Sequence, residues 1–240
     1  SVKRMRKTLE RGIAYHHAGL LQVMKEIGRS NTTKSYMWVF LGGDIDRPLL
    51  SYQYHPTRSG KEIMEYLKGY KGYIQTDGYG GYDFLDAIAD ITHVGCWAHA
   101  RRNFVDVVKA SGKRESVKGR TGVAEEAVSY IQRLYAIEKD ARERELSFDK
   151  VYELRQERSK PILIEFKKWL VNSLTHVNPQ GLLGKAISYT LNQWDRLIRY
   201  IDDGRIRIDN NLTENAIRPF VVGRKNWLFS NTPAGAHTSA

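Results

Sequence analysis

The chain has 240 residues, 41% of them hydrophobic and 11% aromatic, which is typical of one or two globular domains with a substantial core. No stretch approaches the ~18 consecutive apolar residues needed to cross a bilayer, and no signal peptide is evident, so we expect neither a membrane nor a secreted protein. The single cysteine, Cys96, excludes an internal disulfide and favours a reducing compartment such as the cytoplasm. The net charge of +11 indicates a polyanionic partner, above all nucleic acid.

The first part of the chain predicts a mixed sheet. Aromatic and β-branched segments of alternating polarity predict three strands that would form an antiparallel meander, and later strands alternate with helices, as in parallel crossover units. The predicted strands are 20–23, 36–41, 49–54, 72–76 and 91–97, and the predicted helices are 60–67, 82–89 and 98–110. Ser59 is positioned to cap the first of these helices, with Glu62 completing a capping box.

The hydrophobic period changes after the charged, glycine-containing segment 112–122. Apolar residues then recur at helical spacing for about 80 residues without a strand signal, which predicts a four-helix block whose apolar stripes form its core. Pro161 suits the first turn of the third helix. Gly204 ends this block, and a short extended link leads to a last helix that begins near Glu214.

Two isolated acids stand where metal-dependent enzymes place carboxylates. Asp77 ends the predicted strand 72–76 and precedes several glycines, which let a backbone or a nucleic acid approach closely. Glu214 opens the last predicted helix, and Arg218 follows one turn later on the same face. Phosphoryl transfer with two Mg²⁺ ions needs several converging carboxylates, so this pair raises the question of a third acid.

Each acid also has a purely structural interpretation. Asp77 could belong to an ordinary Asp-Gly turn at a strand end. Glu214 could be an acid favoured in the first turn of a helix that Thr213 or Asn211 caps. Cys96 and His99 have the spacing of half a zinc site, but no second pair is evident, so a structural position or one adjacent to the active site is favoured for them.

Basic residues are concentrated near 97–120, which holds seven Lys or Arg against two acids, and in the turn 223–227, which adds an aromatic ring able to stack on a base. Amide and guanidinium groups next to Glu214 could hold phosphate as well. The candidate DNA-contacting residues are Arg101, Arg102, Asn211, Arg218, Arg224, Lys225 and Trp227.

Five longer motifs make the interpretation specific: 33–39, 76–82, 96–104, 209–219 and 223–229. Together they resemble the central domain of insertion sequence 66 family transposases, from about residue 21 to the last residue. The resemblance implies a DDE-type enzyme that cuts DNA at transposon ends and joins them to target DNA with Mg²⁺ or Mn²⁺. It implies that Asp77 is the second acid and Glu214 the third, both catalytic and metal-binding, and that Cys96 and His99 form a Cys-x-x-His motif adjacent to the active site.

The implied fold is α/β: a ribonuclease H-like mixed sheet flanked by helices, with an all-α insertion domain before the last catalytic helix. We therefore predict an atypical N-terminal segment at 1–20, the first part of the core at 21–111, the insertion at 112–203 and the last part of the core at 204–240. We expect DNA to be the partner and the location to be cytoplasmic, at the nucleoid. The sequence leaves open whether the chain forms a homo-oligomer in the DNA complex.

The sequence departs from the family pattern at its start. The first catalytic Asp is expected near position 17, where this chain has His17, and the surrounding residues resemble a segment of a helicase family instead. We therefore expect a truncated or rearranged transposase of impaired activity. The alternatives are an inactive DNA-binding remnant and a helicase fragment, for which no ATP-binding motif is present. Asp44 and Asp46 are poor substitutes, because they follow the wrong end of an antiparallel neighbour.

Overall fold

The computed structural model describes residues 12–21, 35–44, 47–55, 57–111 and 122–216. The chain divides into two compact units. The first, here called the sheet unit, comprises Ser1–His93 and Asn210–Ala240, and the second, the helical unit, comprises Val94–Asp209. The domain limits predicted from the sequence, at 111 and 203, stay predictions; the division into compact units falls at 93 and 209.

The sheet unit is built on five strands in the order β3-β2-β1-β4-β5. The strands are β1 (Gly12–Leu21), β2 (Ser35–Asp44), β3 (Arg47–His55), β4 (Gly72–Gln75) and β5 (Ile91–Val94). β1 pairs antiparallel with β2 and β2 antiparallel with β3, whereas β1 and β4 run parallel. The predicted antiparallel meander followed by a parallel crossover is therefore confirmed, in a mixed α/β architecture.

The first strand differs from its prediction. The sequence predicted a short strand at 20–23, whereas β1 spans Gly12–Leu21 and lies at the centre of the sheet. The physical reason is that β4 pairs with residues 12–15 and β2 pairs with residues 15–21, so each part of β1 has a partner strand, and a segment with glycines and histidines becomes a strand without strong local propensity.

One face of the sheet carries a buried aromatic and aliphatic core. Trp38 and Phe40 of β2 and Ile74 of β4 pack there with α1 (Gly60–Tyr66) and a 3₁₀ helix (Gly80–Ala87). As predicted, Ser59 caps α1, and its hydroxyl accepts a hydrogen bond from the Lys61 amide at 3.3 Å. The opposite face also buries side chains, because Val39 and Leu41, which alternate with Trp38 and Phe40 along β2, are 0% and 6% exposed.

The helical unit contains only helices among its described elements. They are α2 (Trp97–Ala110), α3 (Val123–Glu143), α4 (Phe148–Leu154), a π-helical turn (Arg155–Ser159), α5 (Lys160–Leu174), α6 (Leu182–Asn192), α7 (Trp194–Leu197) and a 3₁₀ turn (Ile198–Asp202). Pro161 lies in the first turn of α5, as predicted. The aromatic rings of Trp97, Phe166 and Trp194 pack edge to face or tilted at centroid distances near 6 Å and form the centre of this core.

A buried ion pair fixes the helical unit around the π-helical turn. Arg155, 2% exposed, makes two hydrogen bonds to the carboxylate of Glu138, at 2.9 and 2.6 Å. Its remaining donors bind the backbone carbonyl oxygens of Tyr200, Asp203 and Ile206 at 2.7 to 2.8 Å. Because the charge is paired and its N–H groups are satisfied, burial of Arg155 is compatible with a stable fold.

Among the described helices, none is long and apolar enough to cross a membrane.

Candidate metal site and nucleic-acid surface

Asp77 lies in a tight turn immediately after β4. Its Oδ1 accepts a hydrogen bond from the Tyr79 amide at 3.0 Å, an Asx-type turn that local Asp chemistry favours. Gly78 has φ of +80°, a left-handed conformation in which a side chain would be strained. The Asp-Gly sequence therefore sets the direction in which the chain leaves the sheet and fixes one oxygen of the carboxylate.

The second oxygen of Asp77 faces a cation. Arg58 Nη2 lies 3.8 Å from Asp77 Oδ2, and the Arg58 guanidinium stacks 3.6 Å from the centroid of the Tyr79 ring. The side chain of Asp77 is 11% exposed and that of Arg58 30% exposed. Burial and the negative charge of Asp77 raise the pKa of the Tyr82 hydroxyl well above its usual range, so Tyr82 stays neutral beside the acid. Asp77 is thus a half-enclosed carboxylate with a long ion pair.

Glu214 lies in the first turn of α8, the helical segment 211–216. The backbone carbonyl of Asn210 accepts hydrogen bonds from the amides of Thr213 (2.9 Å) and Glu214 (3.2 Å), so Asn210 precedes the helix. The predicted cap at Thr213 or Asn211 is wrong, because the helix begins earlier than its apolar pattern suggested. Glu214 is half-buried and Asn211 is exposed. A carboxylate in this turn is favoured by the positive end of the helix dipole.

Strand pairing relates position 17 to the end of β4, which Asp77 follows. In the parallel pair, Tyr15 is the partner of Gln75, the last residue of β4; His17 lies two residues beyond Tyr15, and Asp77 lies two residues beyond Gln75. His17 is also the partner of Val39, and Val39 is the partner of Tyr52. Positions 52, 39 and 17 therefore form one row across neighbouring strands, which are spaced about 4.8 Å apart.

The same row is tied to the helix that carries Glu214. The Tyr52 hydroxyl donates a hydrogen bond of 2.9 Å to the backbone carbonyl of Ala216, two residues after Glu214. Because Tyr52 is the register partner of Val39 and side chains alternate along a strand, Tyr52 lies on the face of Val39, opposite to Trp38. The helix of Glu214 is therefore tied to the face of the sheet that lies opposite the Trp38 core.

The register also shows whether Asp44 could take the place of the first acid. Tyr15 pairs with Leu41, so Asp44 at the end of β2 is level with Gly12, at the opposite end of β1 from His17. Five residues of strand separate the two positions, which is roughly 17 Å. Asp44 therefore does not stand at the expected place of the first acid, and Asp46 lies outside the described residues.

Metal ligands are sparse in the described part of the chain. Within the residues that the structure describes, no group of three or more His, Cys, Asp or Glu side chains could hold a metal ion. Cys96 is buried at the start of α2, where its carbonyl accepts the His99 amide at 3.2 Å, and His99 is half-buried in the first turn. The predicted position of these two residues adjacent to the active site stays a prediction.

Two of the predicted DNA contacts are exposed on α2 of the helical unit. Arg101 and Arg102 are both exposed in its second turn. The positive charge of Arg101 reaches Tyr135, whose hydroxyl binds Asp209 at 2.7 Å; burial, followed by the charge of Asp209, raises the pKa of Tyr135 despite that arginine. The remaining predicted contacts, other than Asn211, lie outside the described residues: Arg218, Arg224, Lys225 and Trp227.

The helical unit also has an apolar groove of about 750 Å³ along α5. Its floor includes Leu163, Trp194 and Ile198, and three lysines line it, Lys160, Lys167 and Lys168. No carboxylate lines the groove, so it offers no negatively charged oxygen ligand to a hard cation.

Sequence reasoning missed several polar residues around Asp77. Arg58 gave no signal, because a single arginine before a helix is ordinary. His93 could have been noticed, since it alternates with the polar Thr92 and shares the inward side of β5 with the apolar Ile91, and it is 5% exposed. Its Nε2 lies 2.8 Å from Thr76 Oγ1 and its Nδ1 lies 2.9 Å from Asp86 Oδ1.

Comparison with known proteins gives a family. The family model described as "Transposase IS66 family" matches residues 5–238, a range that includes His17, Asp77 and Glu214. Two uncharacterized proteins of Sinorhizobium fredii, y4jD and y4qI, are 33% and 30% identical over 224 and 225 residues. These matches cover 89% of this chain but only 42% and 40% of the relatives, so the chain spans well under half the length of the curated relatives it matches.

One solved structure has a weak likeness, a cryo-EM structure of a simian T-cell lymphotropic virus intasome in complex with PP2A regulatory subunit B56 gamma. It is 12% identical, covers 50% of this chain and 48% of its own, and has a TM-score of 0.28, too low to support an argument about fold or function. The family match extends over nearly the whole sequence and contains both candidate acids. The chain belongs to the insertion sequence 66 (IS66) transposase family.

Proposed function

We propose that this chain carries the catalytic core of a DDE-type transposase, in which Asp77 and Glu214 are two of the three metal-binding acids and His17 occupies the place of the first. The observation that supports the proposal is the row of positions 52, 39 and 17. His17 lies two residues beyond Tyr15, the partner of Gln75, as Asp77 lies two residues beyond Gln75, and Tyr52 joins the row to the helix of Glu214.

A ribonuclease H-like core is the fold we propose for the sheet unit. Three antiparallel strands followed by a parallel crossover to β4, with a fifth strand beyond it, support this assignment. The helical unit is inserted between β5 and the helix of Glu214, as the resemblance led us to expect. An enzyme of this kind places its acids at strand ends and on a neighbouring helix, which matches the positions of Asp77 and Glu214.

The metal we propose is Mg²⁺ or Mn²⁺. Asp77 and Glu214 supply carboxylate oxygens, the donors that both ions prefer, and the bound ion would stabilise charge on the phosphate during cleavage. Imidazole is a poor ligand for Mg²⁺, so His17 would leave the site with too few oxygen donors. Arg58 neutralises Asp77 in the absence of metal and would have to release it, which its 3.8 Å separation makes inexpensive. We therefore propose that cleavage is impaired in the natural sequence.

DNA is the proposed substrate, both at transposon ends and at the target. The net charge of +11 favours a polyanion, and Arg101 and Arg102 extend from α2 into solvent, where they can reach phosphates. Asn211, exposed at the start of the helix of Glu214, is a further candidate contact.

A second function is favoured by His17 itself: a DNA-binding remnant that keeps the basic surface but does not cut. This alternative predicts DNA binding that weakens steeply with salt and no metal-dependent nicking under any condition. It also predicts that restoring an acid at position 17 changes nothing.

The test is a plasmid-nicking assay with Mn²⁺, which requires no knowledge of the transposon-end sequence. His17→Asp should raise the nicking rate by about 100-fold or more, because it completes the set of oxygen ligands. Asp77→Asn and Glu214→Gln, each combined with His17→Asp, should return the rate to background and exclude a contaminating nuclease.

His17→Asn is the matched control, because it is polar and of similar size but cannot bring a carboxylate. It should stay at the background rate. A His17→Asp protein that folds and binds DNA but nicks no faster than the natural sequence would favour the DNA-binding remnant instead.

A further inference from the structure

Three polar side chains, beginning with Thr76, the residue before Asp77, form a continuous chain of hydrogen bonds. Thr76 Oγ1 lies 2.8 Å from His93 Nε2, and His93 Nδ1 lies 2.9 Å from Asp86 Oδ1. Thr76 is 0% exposed and His93 5% exposed, whereas the side chain of Asp86 is 45% exposed. We call Thr76, His93 and Asp86 the relay.

The donors and acceptors of the relay have one consistent direction. The Gly78 amide donates to Thr76 Oγ1 at 3.5 Å, so the Thr76 hydroxyl proton is available for His93 Nε2. His93 then carries its own proton on Nδ1 and donates it to the carboxylate of Asp86. The relay therefore joins the 3₁₀ helix, β5 and the turn that holds Asp77.

The order hydroxyl, imidazole, carboxylate is also that of a nucleophilic triad, but burial excludes this role. The Thr76 hydroxyl has no exposed surface, so no substrate atom can come within bonding distance of it. What the hydroxyl does contact is the amide of Gly78, the residue that follows Asp77. The Thr76 hydroxyl therefore acts on the backbone of the turn and not on a substrate.

We propose that the relay is a positioning device for Asp77: Thr76, held by His93 and Asp86, fixes the turn 76–79 so that the carboxylate stays at the metal site. The consequence for catalysis rests on the proposed function, whereas the effect on the turn does not. The buried Thr76 hydroxyl has two hydrogen-bond partners that fix its orientation, so it restrains the first residue of the turn. The hydrogen bond from the Tyr79 amide to Asp77 Oδ1 restrains the last residue.

The direct readout is amide hydrogen exchange at Gly78 and Tyr79, measured by NMR on the full chain. Thr76→Val keeps the shape of the side chain but removes the hydroxyl, and we expect both amides to exchange about tenfold faster. Thr76→Ser keeps the hydroxyl and should restore slow exchange. Thr190→Val is the matched control, since Thr190 is an equally buried threonine of the helical unit whose hydroxyl binds only the Ala186 carbonyl at 2.9 Å.

Catalysis is then measured in the His17→Asp background. Thr76→Val should lower the rate of Mn²⁺-dependent plasmid nicking about tenfold without changing the Kd for DNA, while Thr76→Ser and Thr190→Val keep most of the rate. If Thr76→Val folds poorly, Asp86→Ala, which removes a half-exposed carboxylate, should change exchange in the same direction to a smaller extent.

Unchanged exchange at both amides in Thr76→Val and Asp86→Ala overturns the proposal, whatever the nicking rates are. Exchange that is faster in Thr76→Val and slow again in Thr76→Ser supports it, even if Asp86→Ala has no effect. If no variant nicks DNA, including His17→Asp by itself, the proposed function fails, and the exchange data still decide whether the relay holds the turn.

Discussion

Each of the two units encloses a charged side chain, and the two side chains differ in how strongly they are paired. In the helical unit, Arg155 is 2% exposed and makes five hydrogen bonds of 2.6 to 2.9 Å to a carboxylate and three carbonyls. In the sheet unit, the side chain of Asp77 is 11% exposed, accepts a hydrogen bond from the Tyr79 amide and faces Arg58 at 3.8 Å. All five N–H groups of Arg155 are hydrogen-bonded, whereas the ion pair between Asp77 and Arg58 is long, and Arg58 also stacks on Tyr79.

This difference separates a structural charge from a functional one. A buried charge with every donor satisfied stabilises one arrangement and has no capacity left for a ligand. A carboxylate whose ion pair with a cation is long can exchange that cation for a metal ion at low cost. Substitutions in the two units should therefore affect different measurements, stability in one and metal-dependent chemistry in the other.

The largest expected effect is on the stability of the helical unit. Arg155→Met should lower the free energy of unfolding by about 3–5 kcal/mol, because it leaves the carboxylate of Glu138 buried without its partner. Urea unfolding followed by tryptophan fluorescence measures the loss, since Trp97, Trp169 and Trp194 all lie in this unit.

The control is the double variant Arg155→Met, Glu138→Leu. It removes both charges, so we expect it to recover a substantial part of the lost stability. Equal stability of Arg155→Met and the natural protein would show that the ion pair is not a structural element.

Next in size is a change in activity with little change in stability. In the His17→Asp background, Asp77→Asn should lower Mn²⁺-dependent nicking by about 100-fold, since an amide cannot supply the charge that holds the metal. The free energy of unfolding should change by less than about 1 kcal/mol, because Asn can still accept the Tyr79 amide and the lost ion pair is long. A large loss of stability would make Asp77 a structural residue like Arg155.

A smaller effect is expected from the Tyr135 hydroxyl. Tyr135→Phe should cost about 1–2 kcal/mol of unfolding free energy, because the half-buried hydroxyl donates a 2.7 Å hydrogen bond to the carboxylate of Asp209. Tyr152→Phe, at a tyrosine that is 44% exposed, is the matched control and should change stability by less than about 0.5 kcal/mol. Thermal unfolding monitored by circular dichroism distinguishes the two.

The smallest effect depends on pH. Burial alone would raise the pKa of Asp203, but hydrogen bonds from the side chain and amide of Arg205 outweigh it and lower the pKa below its usual value of 3.8. A lowered pKa in the folded state contributes stability that is fully present above pH 3.8 and is lost as the pH falls through the folded-state value.

Asp203→Asn should therefore cost less than about 1 kcal/mol at pH 7, and the difference from the natural protein should shrink below pH 4. Urea unfolding at a series of pH values measures it. Asp202→Asn, at the exposed pair with Arg199, is the control and should have an effect within a few tenths of a kcal/mol. A difference that grows on acidification would contradict the assignment.

The periodicity of the sequence was sufficient for most of the fold. Alternating aromatic strands predicted the meander, and helical spacing with Pro161 predicted the helical block, because local propensity and tertiary packing agree there. β1 was misjudged, since its glycines and histidines become a strand only through pairing with β4 at its start and with β2 over the rest. The start of the last helix was placed too late for a similar reason: the capping carbonyl of Asn210 is a backbone feature that no side-chain pattern announces.

The candidate site was predictable only in part. Asp77 and Glu214 are isolated acids at element ends, which is a signal that a sequence carries. Arg58 and Asp86 act through three-dimensional proximity, so their spacing in sequence gives no periodic or motif signal, whereas the inward strand position of His93 is a signal that could have been used. The relation of His17 to the end of β4 depends on strand register, which follows from pairing between segments more than 50 residues apart.

The most direct test of the central claim is Mn²⁺ binding measured by electron paramagnetic resonance on the natural sequence and on His17→Asp, with and without Asp77→Asn. If Asp77 and Glu214 are metal ligands and position 17 is the place of the missing acid, His17→Asp should bind Mn²⁺ at least about tenfold more tightly than the natural sequence, and adding Asp77→Asn should abolish that gain. Equal affinity of the natural sequence and His17→Asp, or a gain that survives Asp77→Asn, would contradict it.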